Sequence, residues 1–570
     1  MTEPNKPLEQ MTAQEWLALG MSHYREGRFD EAIEAWSNIH REEADPKAYA
    51  GAQLGLGLAY KDQGKLDNAI TAWSNIHREE ADPKTYAKAQ LNLGITYYTR
   101  GKLDDAITAW SNIHREDNPE TYAKAHLGLG LAYEAQGKLD DAITAWSNIH
   151  REDDPKAYAG AQLGLGVAYE AQGKLDKAKE AYRNAREFFY YEGERGYRIH
   201  ECPPEVIKKL RNIAKSTDKV LKSLQIIPDF ESQVAHYSRA STAFTLLEKK
   251  RNNQKPSHFR LSTIRGVNDP TEGLVLGKYW DQQGISETIH TNDTATFISC
   301  FTFNHDSLNQ FRLYGKENGQ EATGVSLVFK EEFFSDQSDT LEFIAAPSRN
   351  LSSKLGQDSS KETEKPESNK LIGKSTLYRC IYLDPETEYW TLAQRDKSTF
   401  YREHNEDEDA DAKEKWEEYY GLISEKEGSV ETYLFGKEDS KIESVSSLLQ
   451  SIFTEDNLYN KYDKDKKQKI LEALRFILLP LQYLVKHIAF QEEQECRIMH
   501  ITQFRDEKIH SDREKQWMYV EYEEPVLPHI DKIWLSPGAA KDQDFFRILL
   551  DQGSGKSKVR ISQNPFRNKE

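Results

Sequence analysis

The sequence has little cysteine and no long apolar run. Its four cysteines, Cys202, Cys300, Cys380 and Cys496, lie far apart among 570 residues and show neither C-x-x-C metal spacing nor the density of a disulfide framework. No stretch approaches the roughly 18 consecutive apolar residues of a membrane span, and the first residues lack the apolar core of a signal peptide. The sequence therefore predicts a cytoplasmic protein with no bound metal and no membrane contact.

A surplus of positive charge is also missing. The chain has 76 Lys and Arg against 94 Asp and Glu, a formal net charge of -18. Non-specific binding to a phosphate backbone needs a surplus of Lys and Arg, so nucleic acid is not expected as a partner. What the chain does have is length, because 570 residues correspond to roughly three to five domain-sized units. We expect a multidomain or repeat protein.

The N-terminal third contains an internal repeat. The string Ala-Ile-Thr-Ala-Trp-Ser-Asn-Ile-His-Arg-Glu starts without change at Ala69, Ala106 and Ala142, and a looser copy starts at Ala32. Each unit has an apolar helical stretch, a turn, and a second helix. Glycines mark the turns at intervals of 36 or 37 residues, at Gly27, Gly64, Gly101, Gly137 and Gly173. Because glycine accepts the positive φ of a tight turn, we predict helix-turn-helix units.

Two further residue types recur with the same spacing. An aspartate follows each turn glycine by three residues, a position typical of a helix N-cap, at Asp30, Asp67, Asp104, Asp140 and Asp176. A tryptophan recurs near the end of the second helix, where we expect it to pack one repeat on the next, at Trp36, Trp73, Trp110 and Trp146. Both sets predict contacts that repeat along the chain.

The repeats resemble the tetratricopeptide repeat (TPR), a helix-turn-helix unit with small residues where its helices cross. The packing positions of that family are occupied here by Leu56, Gly57, Tyr60, Ala69 and Trp73. The resemblance implies an all-α solenoid of five repeats over residues 12–190, after a tail at 1–11 and before a helical connector or cap at 191–228. The repeat exceeds the roughly 34 residues usual in the family, which predicts an extended second helix or a longer loop.

In this family the first helix of each repeat lines an inner groove. Family members that bind a C-terminal carboxylate have Lys, Arg and Asn there, whereas this chain has an apolar stripe, defined as Leu54, Leu58, Leu91, Ile95, Leu127, Leu131, Leu163 and Val167. Such a stripe suits a helix or peptide of a protein partner, or the next segment of the protein's own chain. The sequence leaves both alternatives open.

Residues 229–570 change to the pattern of an α+β domain. Short β-branched and aromatic runs predict strands at 297–303, 324–329, 377–383, 496–501, 517–520 and 530–535, and residues 469–490 are predicted to be helical. Two stretches are excluded from the search for a site. Residues 351–369 have the composition of a mobile loop, and residues 403–418 carry an acidic run typical of a solvated segment.

Polar motifs follow one another in this domain, between residues 234 and 567. They are His236-Tyr237, Arg260, Asn268-Asp269-Pro270-Thr271-Glu272, Cys300-Phe301-Thr302, Phe311-x-x-Tyr314 and Glu493-Gln494-Glu495. In this order they resemble a bacterial family named domain of unknown function 2971. That resemblance implies no activity by itself.

A more distant resemblance links the same motifs to ADP-ribosyltransferases, which use NAD. Glu495 would stabilise the oxocarbenium-like charge that develops as nicotinamide leaves the ribose, and Glu493 would orient or deprotonate the acceptor. The resemblance also implies cofactor binding by His236, Tyr237, Arg260, Asn268, Thr302 and Tyr314. The chain departs from the family pattern at Tyr237, which replaces a glycine, and at residues 300–302, which replace Ser-x-Ser.

These patterns favour two hypotheses. In the first, the solenoid recognises a protein partner and the C-terminal domain handles NAD or a nucleotide, by ADP-ribosyl transfer or NAD cleavage, in bacterial stress or defence. In the second, the protein is a non-catalytic TPR scaffold whose C-terminal domain binds a peptide or stabilises the groove. A separate alternative for Glu493, Glu495 and Arg497 is an ion-pair ladder on an exposed strand face. The first hypothesis requires His236, Arg260, Thr302 and Glu495 to converge in one cleft.

Overall fold

The predicted fold class is confirmed, because a helical repeat region is followed by a region of mixed sheets and helices. The described chain divides into two compact units with the boundary after Tyr197. The structure is a computed structural model, and it describes residues 11–564 except for 43, 249–255, 265–271, 284, 286–293, 317–322, 335–369, 405–411, 438–440, 454–458, 515–516 and 552–557. Asn268, the loop at 351–369 and part of the acidic segment, 405–411, lie outside the described residues.

The first unit consists of paired antiparallel helices. Within the described residues, five pairs follow one another: α1 (Ala13–Arg25) with α2 (Phe29–Ser37), α3 (Pro46–Asp62) with α4 (Leu66–Ser74), α5 (Pro83–Thr99) with α6 (Leu103–Ser111), α7 (Pro119–Ala135) with α8 (Leu139–Ser147), and α9 (Pro155–Ala171) with α10 (Leu175–Ala185). Helix α11 (Tyr190–Glu201) comes next. The extra length of each repeat lies in a loop, such as residues 75–82 before Pro83, and not in an extended second helix.

The turns confirm the role predicted for their glycines and correct the role predicted for the aspartates. The five turn glycines have φ angles between 71° and 74°. The aspartates lie inside the first helical turn, whereas the N-cap positions belong to Arg28 and to lysines that make no side-chain cap hydrogen bond. Four aspartates instead accept a hydrogen bond from the next repeat: Asp30 from Gln63 (2.8 Å), Asp67 from Arg100 (2.6 Å), Asp104 from Gln136 (2.8 Å) and Asp140 from Gln172 (2.8 Å).

Each repeated tryptophan packs against a glycine of its own repeat, and three of them also meet a glycine of the next repeat, as predicted: Trp36 with Gly55, Trp110 with Gly128 and Trp146 with Gly164. Trp73 is buried, and its indole Nε1 donates to the carbonyl of Leu54 at 3.4 Å. A Cβ atom on Gly57 would lie 2.1 Å from that nitrogen, so only glycine fits beneath the ring. The same relation holds for three further pairs: Gly20 with Trp36, Gly94 with Trp110, and Gly130 with Trp146.

A second ladder of polar contacts joins neighbouring repeats at the loops. An arginine after each second helix forms an ion pair with an acidic residue of the following repeat, namely Arg41 with Glu80 (2.5 Å), Arg78 with Asp117 (2.6 Å), Arg115 with Asp153 (2.9 Å) and Arg151 with Glu187 (2.6 Å). The repeats are therefore joined by apolar contacts within the helices and by ion pairs at the surface.

The second unit combines helices with two sheets. Its described helices are α12 (Pro204–Leu224), α13 (Pro228–Glu231), α14 (Ala240–Leu247), α15 (Val275–Gln282), α16 (Leu308–Tyr314), α17 (Lys397–His404), α18 (Ala412–Val430), α19 (Val445–Phe453), α20 (Lys464–Gln482) and α21 (Gln543–Asp551). Helix α12 lies in the predicted connector and packs against α18, α19 and α20. It buries Val206, Ile207, Leu210, Ile213 and Leu224, so it belongs to the core of this unit.

The described strands are β1 (Gln233–Arg239), β2 (Arg260–Thr263), β3 (Thr294–Thr302), β4 (Gly324–Lys330), β5 (Leu371–Ile372), β6 (Tyr378–Arg379), β7 (Ile381–Leu383), β8 (Trp390–Leu392), β9 (Val485–His487), β10 (Glu495–Gln503), β11 (His510–Asp512), β12 (Trp517–Tyr522), β13 (Ile530–Leu535) and β14 (Lys558–Ile561). Five of the six predicted strand regions are confirmed. The region 377–383 is divided into two short strands, β6 and β7, which belong to different sheets. The helix predicted at 469–490 is shorter, because α20 ends at Gln482 and strand β9 follows it.

The larger sheet has the order β11-β12-β2-β3-β1-β4-β13-β14. Strand β10 pairs with β3 along its whole length and with β6 on its other side, and β5 pairs with β12. The smaller sheet has the order β8-β7-β9. One face of the larger sheet packs on the main hydrophobic core, which includes Phe259, Phe301, Leu327, Phe329 and Ile498.

A fully buried ion pair joins α13 to the strands. Arg379 Nη2 lies 2.5 Å from Glu231 Oε2, and both side chains are 0% exposed. Tyr419 donates to the other oxygen of Glu231 at 2.8 Å, and Arg379 also donates to the carbonyl of Ala393 at 2.7 Å. The carboxylate of Glu231 is thus bonded at both oxygens.

Among the helices that the structure describes, none has both the length and the apolar composition of a membrane span.

Candidate functional site

The candidate site lies where β10 begins beside the end of β3. Glu495 is the first residue of β10 and is paired in register with Thr302, the last residue of β3. Cys496 and Ile498 point into the main core together with Phe301. Because side chains alternate along a strand, Glu495 points to the opposite face of the sheet. That face is covered as well, since Glu495 is only 5% exposed.

Glu495 belongs to a cluster of five charged side chains, which we call the carboxylate cluster. Lys486 Nζ lies 2.6 Å from Glu495 Oε2 and 2.5 Å from Glu493 Oε2. Arg497 donates to Glu495 from Nε (2.7 Å) and Nη2 (3.1 Å), and it forms a second, two-pronged pair with Glu272. These residues are buried, so the predicted ladder on an exposed strand face is corrected. The two cations, Lys486 and Arg497, lie among the three carboxyl groups and offset much of the cost of burying their charge.

Backbone contacts fix the entry into β10. Residues Ile488–Glu493 form a 3-10 turn, and Gln494 has a left-handed φ of 45° that redirects the chain into the strand. The hydroxyl of Thr302 donates to the carbonyl of Glu493 at 2.7 Å, and the amide of Glu495 donates to the Tyr382 hydroxyl at 2.8 Å. The two glutamates are thus held on either side of one strained residue.

The cluster moves the pKa values of Glu493 and Glu495 in opposite directions. Burial alone would raise the pKa of Glu495, but the charges of Arg497 and Lys486 outweigh it and hold the pKa well below its usual range. Burial raises the pKa of Glu493, and the negative charge of Glu495 adds to this effect, so the single cation Lys486 offsets only part of it. Neighbouring carboxyl groups of which one has a raised pKa and the other a lowered pKa are typical of acid-base sites.

Neutral groups surround the two glutamates. Burial and the nearby negative charges of Glu493 and Glu495 raise the pKa of Tyr314 above its usual value. Burial also raises the pKa of the Cys300 thiol well above its ordinary value, which disfavours the thiolate form. The Tyr314 side chain is 40% exposed, which makes it the accessible member of the group.

The structure does not bring His236 into the cluster. His236 lies on β1, next to Ala235, which is paired with Thr302 in register. Alternation therefore places His236 on the core face, where its ring packs against Phe259 and Phe301 with centroids 5.1 and 5.5 Å apart. Its Nδ1 is 2.9 Å from the carbonyl of Cys300, and burial lowers its pKa. A ribose-binding role beside Glu495 is therefore corrected, because the sheet separates the two side chains.

Tyr237 and Arg260 are committed to other contacts. The Tyr237 hydroxyl donates to the carbonyl of Asn304 (2.7 Å) and accepts from the amide of Ser307 (2.8 Å), which fixes the loop after β3. Arg260 pairs with Glu521 at 3.1 Å and lies over the ring of Tyr519 at 4.2 Å. The convergence required by the ADP-ribosyltransferase hypothesis is thus met by Thr302 and Glu495 and not by His236 and Arg260.

Three members of the carboxylate cluster were missed as site residues: Arg497, which was considered only as part of an exposed ion-pair ladder, Lys486 and Glu272. Lys486 falls in the stretch predicted to be helical, and the sequence gives no sign that strand β9 interrupts it. Glu272 closes the motif that begins at Asn268, so the motif itself was the available signal. Its contact with Arg497 spans 225 residues of sequence, which no local pattern could indicate.

Most of the apolar stripe predicted on the solenoid is buried in the structure. Five of its residues are between 1% and 5% exposed and pack in the core of the unit: Leu54, Leu58, Leu91, Ile95 and Leu127. The prediction that these five side chains line the groove is therefore wrong, because they lie in the core of the unit. Leu131 and Leu163 are half-buried, and Val167 is 49% exposed. The accessible part of the stripe is its C-terminal end.

Helix pairs with positive-φ glycine turns and tryptophan-glycine packing define the first unit as a helical-repeat solenoid. The family model of the tetratricopeptide repeat matches residues 17–84, 91–158 and 127–189. The N-terminal region therefore consists of TPR repeats, which bind protein partners. The model's matches end within the first unit, so the resemblances of the C-terminal half stay predictions.

Solved structures give matches of similar extent. A crystal structure of MamA is 27% identical and covers 31% of this chain and 97% of its own, with a TM-score of 0.26. A thermophilic TPR protein of Thermus thermophilus is 23% identical and covers 31% of this chain and 91% of its own, with a TM-score of 0.21. No curated protein matches the sequence.

Proposed function

We propose that the protein is an interaction scaffold that binds an apolar helix or peptide of a protein partner at the C-terminal end of the TPR stripe. The observation that carries this proposal is the exposure of Val167, which is 49% exposed on helix α9 beside the half-buried Leu163. An apolar side chain on the first helix of a TPR unit stands where that family contacts its ligands. An amphipathic helix recognised by a few such anchors fits this surface.

Site-specific photo-crosslinking tests this function. A photoreactive amino acid at Val167 should crosslink one protein partner in cells, whereas the same group at Thr144, an exposed residue of α8, should not. With the identified partner, Val167→Asp should weaken binding at least tenfold in calorimetry, and Thr144→Asp should leave it unchanged. Equal crosslinking and equal affinities at both positions would remove the stripe from the proposal.

A second function is favoured by the carboxylate cluster. We propose that the C-terminal unit cleaves NAD or transfers its ADP-ribose, with Glu495 as the anion that stabilises the cationic ribose and Glu493 as the group that takes the acceptor's proton. The supporting observation is that Lys486 and Arg497 both contact Glu495, whereas the cation contact of Glu493 is with Lys486. These contacts lower the pKa of Glu495, while burial and the charge of Glu495 raise the pKa of Glu493. With His236 and Arg260 placed elsewhere, the ribose contacts would fall to the residues around Tyr314.

Release of nicotinamide from labelled NAD tests the second function. Activity should disappear in Glu495→Gln and persist in Glu521→Gln, a control that also neutralises an ion-paired strand glutamate. Circular dichroism of both variants should match the parent, so that a lost fold is not taken for lost chemistry. If no nicotinamide is released with or without cell lysate, and calorimetry detects no NAD binding, the scaffold function alone stands.

A further inference from the structure

Lys486 occupies a distinctive position in the carboxylate cluster. It lies on β9, in the smaller sheet, and only 5% of it is exposed. Its Nζ contacts one oxygen of Glu493 and one oxygen of Glu495 at nearly equal distances, 2.5 and 2.6 Å. A single ammonium group thus joins two carboxyl groups that stand on either side of the turn at Gln494.

We propose that Lys486 is the positioning residue that makes Glu493 the proton-exchanging member of the pair and keeps Glu495 ionised. This inference rests on the proposed NAD cleavage at the same site. In that reaction the bond between the ribose carbon and nicotinamide breaks, and its electron pair leaves with nicotinamide. A water or hydroxyl oxygen then bonds to that carbon, and its proton passes to the ionised form of Glu493.

The charge balance of the cluster supports this division. Within the part of the chain that the structure describes, Glu272, Glu493 and Glu495 contribute three carboxyl groups, while Lys486 and Arg497 contribute two cations, so full pairing leaves one carboxyl group over. A buried negative charge without a partner is costly, and binding one proton removes it. The proton therefore goes to the carboxyl group with the weakest cation contacts.

Counting contacts identifies that group as Glu493. Glu495 accepts from both Lys486 and Arg497, and Glu272 accepts from two nitrogens of Arg497. The cation contact of Glu493 is with Lys486. Its side chain is also the most accessible of the three, at 14% against 5% and 6%. Glu493 is thus both the least compensated carboxyl group and the one best placed to exchange its proton.

Among the described residues, four further titratable groups interact with the carboxylate cluster, and none of the four is a cation. They come from four elements or their junctions: Cys300 of β3, Tyr314 of α16, Tyr382 of β7, and Cys380 between β6 and β7. Burial raises the pKa of each, so all four stay neutral at physiological pH. Lys486 is therefore the cation on which the protonation of Glu493 depends.

Replacing Lys486 tests the inference without relying on enzyme activity. The infrared band of the protonated carboxyl group of Glu493 can be isolated as the difference between a protein and its Glu493→Gln variant, and then followed with pH. Lys486→Met should move this titration upward by about one pH unit or more, because an opposite charge within contact distance lowers a carboxyl pKa by that amount. Lys486→Arg should stay near the parent. An unchanged titration in Lys486→Met would overturn the inference.

The pH profile of NAD cleavage provides the second readout. The acid limb of the profile should follow Glu493 and move to higher pH in Lys486→Met, while Lys486→Arg restores it; a simple loss of folding would lower activity at every pH alike. An acid limb that stays in place in the folded Lys486→Met protein would contradict the assignment. If the parent protein cleaves no NAD, the proposed reaction fails, and the infrared titration alone decides whether Lys486 controls Glu493.

Discussion

The two units use charged side chains in different ways. In the solenoid, ion pairs recur at the repeat spacing and keep at least one partner partly exposed, as with Arg41 and Glu80, whose side chains are 46% and 32% exposed. In the second unit, Arg379 and Glu231 form a buried ion pair that is not part of a repeat. The two residues are 148 positions apart in the sequence, and both side chains are 0% exposed. The first arrangement can be copied with each repeat, whereas the second depends on the whole fold around it.

The two kinds of ion pair differ in how much stability is lost when one partner is removed. A surface ion pair contributes about 0 to 1 kcal/mol, since water solvates either partner when the other is lost. Removing one partner of a buried pair costs about 3 to 5 kcal/mol, because the remaining charge is left without compensation. Substitutions of similar chemistry should therefore have very different effects in the two units.

The largest effect is expected for Arg379→Met. This change leaves the Glu231 carboxylate buried with only Tyr419 and a backbone amide as hydrogen-bond donors. We expect the free energy of unfolding of the second unit to fall by about 3 to 5 kcal/mol. Urea denaturation measures the loss, and hydrogen exchange assigns it to this unit.

Two variants serve as controls for that measurement. The double variant Arg379→Met with Glu231→Gln removes the stranded charge and should recover much of the lost stability. Arg100→Met breaks an exposed pair of the solenoid and should leave stability unchanged within error. If Arg379→Met were as mild as Arg100→Met, the contrast between the units would not hold.

A smaller effect is expected where the solenoid is most tightly packed. In Gly57→Ala the new methyl group would meet the indole of Trp73, and overpacking costs about 1 to 3 kcal/mol. Gly51→Ala, in the same helix α3, places its methyl group 3.6 Å from Leu17 and should stabilise by about 0.5 to 1 kcal/mol. Thermal unfolding compares the two, and equal stabilities would show that the ring does not rest on Gly57.

The contrast also explains what the sequence could predict. Repetition made the turn glycines and the packing of Trp73 on Gly57 visible, because local spacing determines both. The N-cap role of the aspartates failed, since Asp67 and its equivalents bond to the next repeat, a contact outside the local pattern. In the second unit the strands were predicted from composition, but the placing of His236 and of Lys486 depends on strand register and on a short strand after α20.

The smallest effect separates two contacts within the solenoid itself. Burial would raise the pKa of Asp117, but hydrogen bonds from Arg78 and from the His114 amide outweigh the effect of burial and hold this pKa below its usual value. A lowered pKa in the folded state stabilises the protein above the unfolded pKa of about 3.9, and the benefit is lost as pH falls through the folded pKa. Asp117→Asn should therefore cost about 0.2 to 1 kcal/mol at pH 7 and progressively less in acid. Asp67→Asn changes a carboxylate that is 85% exposed, so it should leave the urea midpoint unchanged both at pH 7 and in acid. A pH-independent difference for Asp117→Asn would mean that its side chain acts through packing and not through charge.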